Sequence, residues 1–330
     1  MEDEFAFISS VAPKETLQNR LKVGIGDDAA VYVGKSDSDE VVCVDTMVEG
    51  IHFRRDTLTP FQIGRKALAI NVSDLAAMGA NPAFYLVSLA IPPTWKNEEL
   101  TELYRGMNEL AAELGMDLIG GDTTAANESL VITITAIGTV RRDQALRRSN
   151  AKAGDIVFVT GELGASAAGL ELLLERTRSG TFSEEEKAVI KKHQEPEGQV
   201  QAGRVMAERG CRIALNDISD GLASEAIELA EASEKTMILK EEWLPLIPSH
   251  GLPFSYRQRV DFALNGGEDF QLVGTMGRED YEQLKAVGKR SGLSFLEIGY
   301  VEEGPAAVYL WTREEKRRLD KAGYNHFRRG

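Results

Sequence analysis

Cysteine is almost missing from this chain: Cys43 and Cys211 are the two in 330 residues. Two thiols exclude a disulfide-built scaffold. Both stand in apolar runs, "VVCVD" and "GCRIALND", so buried thiols are expected rather than a bridge or a nucleophile. Histidine is sparse as well, with four residues and no HExxH pattern, which excludes the zinc helix of a metalloprotease. Lys and Arg number 38 against 52 Asp and Glu, a formal charge of −14. That balance argues against a nucleic-acid partner, whose phosphates need a basic footprint. No run approaches the roughly 18 apolar residues of a membrane span. The first ten residues, "MEDEFAFISS", carry acids where a signal peptide carries positive charge. A cytoplasmic protein without a membrane partner is therefore expected. The GxGxxG and GxxxxGK[ST] loops are missing too, as are the HRD and DFG segments of protein kinases, so neither mechanism is supported.

What is present is an ordinary globular composition, 43% hydrophobic and 27% charged, over a length that favours two domains. Strand-like and helix-like segments alternate, which predicts two mixed α/β (α+β) domains, with the direction of the strands left open. "EVVCVD", "NPAFYLVSLAI", "MDLIGGD" and "SLVITITAIGTV" read as strands. Residues 60–79 hold apolar positions at mostly helical spacing, with Asn71 to Asp74 as a candidate interruption. "NEELTELYRGMNELAAELG" reads as an amphipathic helix with a glycine at its exit. The polar, basic "RRSNAKAGD" is the expected joint, dividing the chain into 1–148 and 149–330. Beyond it, "ASAAGLELLLERT", "QVQAGRVMAERG" and "LASEAIELAEASEK" read as helices and "CRIALND" as a strand. "DFALNGGEDFQLVGTM" reads as strand, glycine turn and strand.

The recurrent feature is acidic punctuation. Asp27, Asp28, Asp45, Asp74, Asp122, Asp217, Asp220 and Glu268 nearly all stand where an apolar element gives way to Gly, Ser, Thr or Asn. Magnesium favours hard oxygen ligands and reaches phosphates through one or two carboxylates plus water, so such acids can build a phosphoryl-transfer site. Each can equally cap a helix or fix a turn. Asp220, just before "GLASEAIELAEAS", is a candidate N-cap as well as a ligand. Arg147 and Arg148 are either a solvated linker or a fork for phosphate oxygens. His52 either packs on Phe53 and bonds backbone or serves a ligand.

Taken together, "GIGDDAAV", "VDTMVEGIHF", "KALAINVSDLAAMGANP", "LIGGDTT", "LRRSNAKAGD", "NDISDGL", "NGGEDF" and "GYNHF" resemble the thiamine-monophosphate kinase family, in order and over nearly the whole chain. That family falls within the aminoimidazole-ribotide-synthase-like ATP-binding proteins. The resemblance implies an N-terminal α/β domain, 1–148, that binds metal and nucleotide and dimerises through its sheet. A C-terminal α/β domain, 149–330, closes the cleft. It implies phosphorylation of thiamine monophosphate to thiamine diphosphate, with ATP as co-substrate, several Mg²⁺ ions and a homodimer.

Carried onto this sequence, the resemblance makes Asp28, Asp45, Asp74, Asp122 and Asp217 the principal metal ligands and Asp220 a further one. Asp28, Asp74, Asp122 and Asp217 are the catalytic set. Val44 would offer a backbone carbonyl to metal, and Cys43 falls where relatives often present a hydroxyl or backbone oxygen. Tyr104, Gly121, Asp122, Arg148 and Ser219 fall on the ATP side. His52, Glu268 and Phe327 fall on the thiamine phosphate side, with Tyr324 as the alternative aromatic. Asp27 and Asp269 stay open between supporting their turns and direct contact. Two rivals stay open at this point: a related ATPase with an aminoimidazole or selenide substrate, and a nucleotide-binding scaffold without turnover.

Overall fold

A computed structural model describes residues 15–23 and 31–321; Asp27, Asp28, Tyr324 and Phe327 lie outside the described residues. Two sheets organise the chain. The first contains β3 (Ser38–Val48), β4 (Asn81–Ile91), β5 (Asp117–Ala125) and β6 (Val131–Arg141), in the order β3-β6-β4-β5. Its β4/β5 pair is parallel and the others are antiparallel. A short ribbon of β1 (Leu21–Val23) and β2 (Val31–Tyr32) lies beside it, with Tyr32 4.8 Å from Phe84 between ring centroids.

Helices α1 (Pro60–Ala77) and α2 (Asn97–Leu114) cover one face of this sheet. Thr59 starts α1 through a reciprocal capping box with Gln62, ahead of Pro60 in the first turn. Ile63, Leu68, Val72 and Leu75 bury one side of it against Ile132, Ile134, Val87 and Leu89. Contrary to the expected interruption at Asn71 to Asp74, α1 runs through it unbroken. The Asn71 side chain does not open a turn; its Nδ2 donates to the Ala67 carbonyl (3.1 Å), one turn back. The two helices touch backbone to backbone. A Cβ at Gly64 would stand 1.8 Å from the Leu103 oxygen, and one at Gly106 1.9 Å from the Phe61 oxygen.

The second sheet has seven strands: β7 (Ile156–Val159), β8 (Ile213–Asp217), β9 (Thr236–Lys240), β10 (Leu272–Met276), β11 (Leu296–Glu302), β12 (Ala307–Trp311) and β13 (Lys316–Arg318). They lie in the order β13-β12-β9-β11-β7-β10-β8, antiparallel except for β12 beside β9. Alternation along β7 feeds two cores. Val157 and Val159 join Leu222, Leu229 and Leu264, whereas Ile156 and Phe158 join Met206, Tyr281 and Phe295. The second of these cores also takes in Ala76, Ala77, Val140 and Leu146 from the first half, so the halves share buried apolar surface.

The helices of the second half are α3 (Ala165–Arg176), α4 (Glu184–Gln194), α5 (Val200–Glu208), α6 (Leu222–Ser233), α7 (Tyr256–Asn265) and α8 (Arg278–Ser291). The expected strand at "DFALN" is the end of α7. Ser255 and Gln258 form its capping box, and Val260, Ala263 and Leu264 bury at the helical spacing of three and four. The expected mixed α/β architecture is present. None of the described helices is long and apolar enough to cross a membrane.

Candidate active site

The seam between the halves is polar at one end. The last turn of α1 meets the end of β8, where Ser73 Oγ donates to Asp217 Oδ2 at 2.7 Å with both side chains buried. Asn71 ties the same turn to β3: its Oδ1 accepts from the Asp45 N–H (3.1 Å), and its carbonyl accepts from Cys43 Sγ (3.3 Å). Asp45 and Asp74 share a hydrogen bond, and Asp217 acts on Asp74 through space. Burial, then Asp217 and Asp45, push the Asp74 carboxyl up to about 8. Burial also raises Asp45, and raises Asp217 to about 6 against the Ser73 hydrogen bond and the Arg148 charge. Three carboxyls are thus crowded where a positive charge would relieve them.

Neither Asp74 nor Asp220 caps a helix. Asp74 is in the final turn of α1, and Gly221, at φ 101°, is the N-cap of α6. The N–H of Asp220 instead donates to Glu225 Oε1 (3.1 Å), which also accepts from Ser219 Oγ (3.2 Å). Glu225 Oε2 accepts from Asn216 Nδ2 (2.5 Å), and Asn216 Oδ1 in turn accepts from Arg148 Nε (2.9 Å). Arg148 completes this with Glu228, N to O 2.9 Å, while its side chain stays 53% exposed. Buried Glu225 is pushed up to about 8 by burial, Glu228 and Asp217. It therefore organises both Ser219 and the Arg148 guanidinium, a role the sequence reading missed. Its position in the first turns of α6 was the available signal, since an acid there can bond back to the helix start.

Glu268 and Phe270 both hold positive φ, 67° and 48°, uncommon for residues with a Cβ. The loop is fixed there by Glu268 N–H to the Ser219 carbonyl (2.7 Å) and Phe270 N–H to the Ile218 carbonyl (2.9 Å). Glu268 Oε2 accepts from Lys66 Nζ at 2.8 Å and lies 3.3 Å from His193 Nδ1. Burial opposes the charge on Glu268, but Lys66 and His193 outweigh it and hold the carboxyl below its usual range. His52 accepts from the Val48 N–H through Nδ1 (3.0 Å) and acts electrostatically on both Asp45 and Glu268. Asp269 turns the other way and caps α3, accepting from the N–H groups of Gly164 (2.6 Å) and Ser166 (3.1 Å).

Other expected site residues stand apart. In register, Asp45 aligns with Ile134, Val87 and Gly121, whereas Asp122 aligns with Ser88, Thr133 and Thr46. Residues in register share a face. Asp122 therefore projects from the open face of the first sheet and Asp45 from the helix-covered face, with two strands between theirs. A Cβ at Gly121 would stand 1.9 Å from the Val87 carbonyl oxygen, so glycine there permits the close β4/β5 approach. Tyr104 is buried in the α1–α2 core, and the Val44 side chain is 59% exposed on the open face. Cys43 and Cys211 are free, as expected, and half-buried where buried thiols were expected. Among the described residues, no three His, Cys, Asp or Glu side chains already converge to hold one metal ion.

The two halves match the N-terminal (26–140) and C-terminal (152–311) domains of AIR synthase related proteins, which defines the class of two-domain protein. Within that class the chain is 49% identical to the thiamine-monophosphate kinase of Bacillus subtilis (strain 168), over 99% of this chain and 100% of the relative. It belongs to the thiamine-monophosphate kinase family. The kinase structure from Stenotrophomonas maltophilia K279a superposes with a TM-score of 0.83 at 31% identity, covering 95% of this chain and 98% of that one. AaThiL complexed with AMPPCP and TMP gives 0.76 at 31% identity, covering 98% and 97%.

Proposed function

We propose that this protein transfers the γ-phosphoryl group of ATP to thiamine monophosphate, giving thiamine diphosphate, by direct in-line displacement. The observation that carries the reading is the crowding of Asp45, Asp74 and Asp217 at the seam, beside the Glu268 loop and His52, in a chain of this family. The acceptor is a phosphate oxygen already anionic near neutral pH, since a phosphate monoester has a second pKa of about 6. A carboxylate base is therefore unnecessary, and positioning with charge neutralisation suffices.

The donor set fits Mg²⁺: hard carboxylate oxygens, with Asp74 raised by burial and then by the charges of Asp217 and Asp45. Asp45, Asp74 and Asp217 would hold such ions one or two carboxylates at a time, with Asp28, Asp122, Asp220 and the Val44 carbonyl as further ligands. When bound, Mg²⁺ would neutralise charge between the phosphates. Arg148, held in place by Asn216 and Glu228, offers its exposed guanidinium to the nucleotide, next to Ser219. Tyr104 and Gly121 complete the assigned nucleotide side, and His52, Glu268 and Phe327 the thiamine side. Cys43 contributes no thiolate, because burial, Asp74 and Asp45 all raise it.

The two functional halves are 1–148 and 149–330, and the working form is a cytoplasmic homodimer. Val42 and Val44, 61% and 59% exposed on the open sheet face, support the dimer. Asp122 stands on that same face, so ions it holds would lie on the side where a second copy docks.

The test is incubation with ATP, Mg²⁺ and thiamine monophosphate, with aminoimidazole precursors and selenide run alongside, and identification of the product. Thiamine diphosphate is expected from the thiamine arm alone. Nucleotide hydrolysis without it, or isolation of a kinetically competent phosphoenzyme, would overturn the proposal.

A further inference from the structure

Lys66 is a lysine with a side chain 0% exposed, set in α1 among Ile63, Ala67 and Leu68. A buried ammonium is costly unless paired and hydrogen-bonded, and Glu268 Oε2 at 2.8 Å supplies both. The pair joins the two halves of the molecule, α1 on one side and the 266–270 loop on the other. His193, on α4 and 2% exposed, adds a second contact: Nδ1 lies 3.3 Å from the same Oε2 and 3.1 Å from Ser166 Oγ. Only the Nδ1–H tautomer suits an ionised carboxylate there, because a bare nitrogen lone pair would face a negative oxygen.

These contacts divide the Glu268 carboxylate. Its backbone is fixed by hydrogen bonds to the Ser219 and Ile218 carbonyls, and Oε2 is held by Lys66 and His193. Among the described residues Oε1 accepts no hydrogen bond, and the side chain remains 29% exposed. If the carboxylate served only to neutralise Lys66, nothing would require one oxygen to be left without a partner among the described residues. We infer that Lys66 is a positioning residue for the thiamine side of the site. It fixes Glu268 Oε2 so that Oε1 is presented, ionised and in one orientation, to the cationic, amino-bearing heterocycles of thiamine monophosphate. This rests on the reading of Glu268 as a substrate contact.

Lys66→Met, Glu268→Gln and the double variant separate the two claims. With folding followed by circular dichroism, each single variant should raise KM for thiamine monophosphate about tenfold, the scale of one charge-assisted hydrogen bond, while KM for ATP moves less than about twofold. The double variant should match Glu268→Gln alone, because Lys66 acts through Glu268. Glu268→Gln strands the buried Lys66 ammonium, whereas the double variant leaves no buried charge unpaired. If Glu268→Gln does not fold, the double variant takes its place in the comparison with Lys66→Met, the two sharing the raised KM. An unchanged KM for thiamine monophosphate in folded Lys66→Met, beside a raised value in Glu268→Gln, would overturn the positioning role. So would a double variant worse than Glu268→Gln by a further tenfold. An unchanged value in Glu268→Gln would overturn the substrate reading first and the inference with it.

Discussion

At Asp74 the proposed role in the site and the stability of the fold pull in opposite directions. Its carboxyl is pushed up to about 8 because burial and two neighbouring acids disfavour the charge. Asp74→Asn removes that repulsion while keeping the shape. Turnover should fall on the order of 10²- to 10³-fold, as when one preorganised electrostatic partner is removed. The urea midpoint should rise, by a stability gain of about 1 kcal/mol. Equal turnover in the folded variant at limiting magnesium would remove Asp74 from the site. His193 makes a different prediction. Burial, then Lys66, drive its pKa down to about 3, although Glu268 opposes this. The unfolded chain takes up that proton near pH 6.5 and the native state only near 3. Between those values the unfolded state binds more protons, so stability falls as pH falls through the window. The slope reaches about 1.4 kcal/mol per pH unit. Urea midpoints measured from pH 7 to pH 4 should therefore decline less steeply in His193→Gln than in the parent. Parallel curves would contradict the assignment.

Element by element, the site depends on how closely α1 approaches its neighbours. α1 carries Lys66, Asn71, Ser73 and Asp74 within about two and a half turns, and its position is set by backbone contact with α2. Gly64→Ala would drive a methyl group to 1.8 Å from the Leu103 oxygen. Overpacking of this kind should cost about 3 kcal/mol, read as a lowered urea midpoint. Unchanged stability would mean that the two helices separate easily. Much at this scale was legible in advance. Partial period-two alternation marked β6, the prolines after Ile91 marked the end of β4, and helical spacing marked α1 and α2. The misreading of "DFALN" arose because a short apolar run fits a strand or a helix turn alike, and the Ser255–Gln258 capping signal upstream decides between them. Lys66 and His193 were also visible in principle. Lys66 lies three residues from Ile63, and His193 lies three and four from Ile190 and Val189, on apolar helix faces where polar side chains need partners.

For the whole molecule, the shared core has a thermodynamic consequence. Ala76, Val140 and Leu146 of the first half pack with Ile156, Met206 and Phe295 of the second. The halves should consequently unfold in one calorimetric transition. Met206→Ala, at 0% exposure, should lower that transition by about 3 kcal/mol of stability without splitting it. Two separated transitions in the parent protein would show that the common core couples the halves weakly. The open face of the first sheet leads to a second prediction. Sedimentation should give the mass of two chains, and Val42→Lys, at a site 61% exposed in the single chain, should shift it to one. A parent protein of single-chain mass would remove the dimer and leave the phosphoryl-transfer reading in place.

The amino-acid sequence by itself determined the class of architecture, the strand and helix periods of most elements, and the ordered acidic segments that carry the family resemblance. These are local properties: periodicity, turn chemistry and spacing act over a few residues. Only the tertiary structure decided which acids meet. Asp45, Asp74 and Asp217 come from β3, α1 and β8, and no spacing along the chain encodes their contact. Strand register set Asp122 on the opposite face from Asp45, because one residue's shift along a strand reverses the side to which a side chain points. The pairing of Lys66 with Glu268, 202 residues apart, likewise exists only once the halves have docked and water has been excluded from between them.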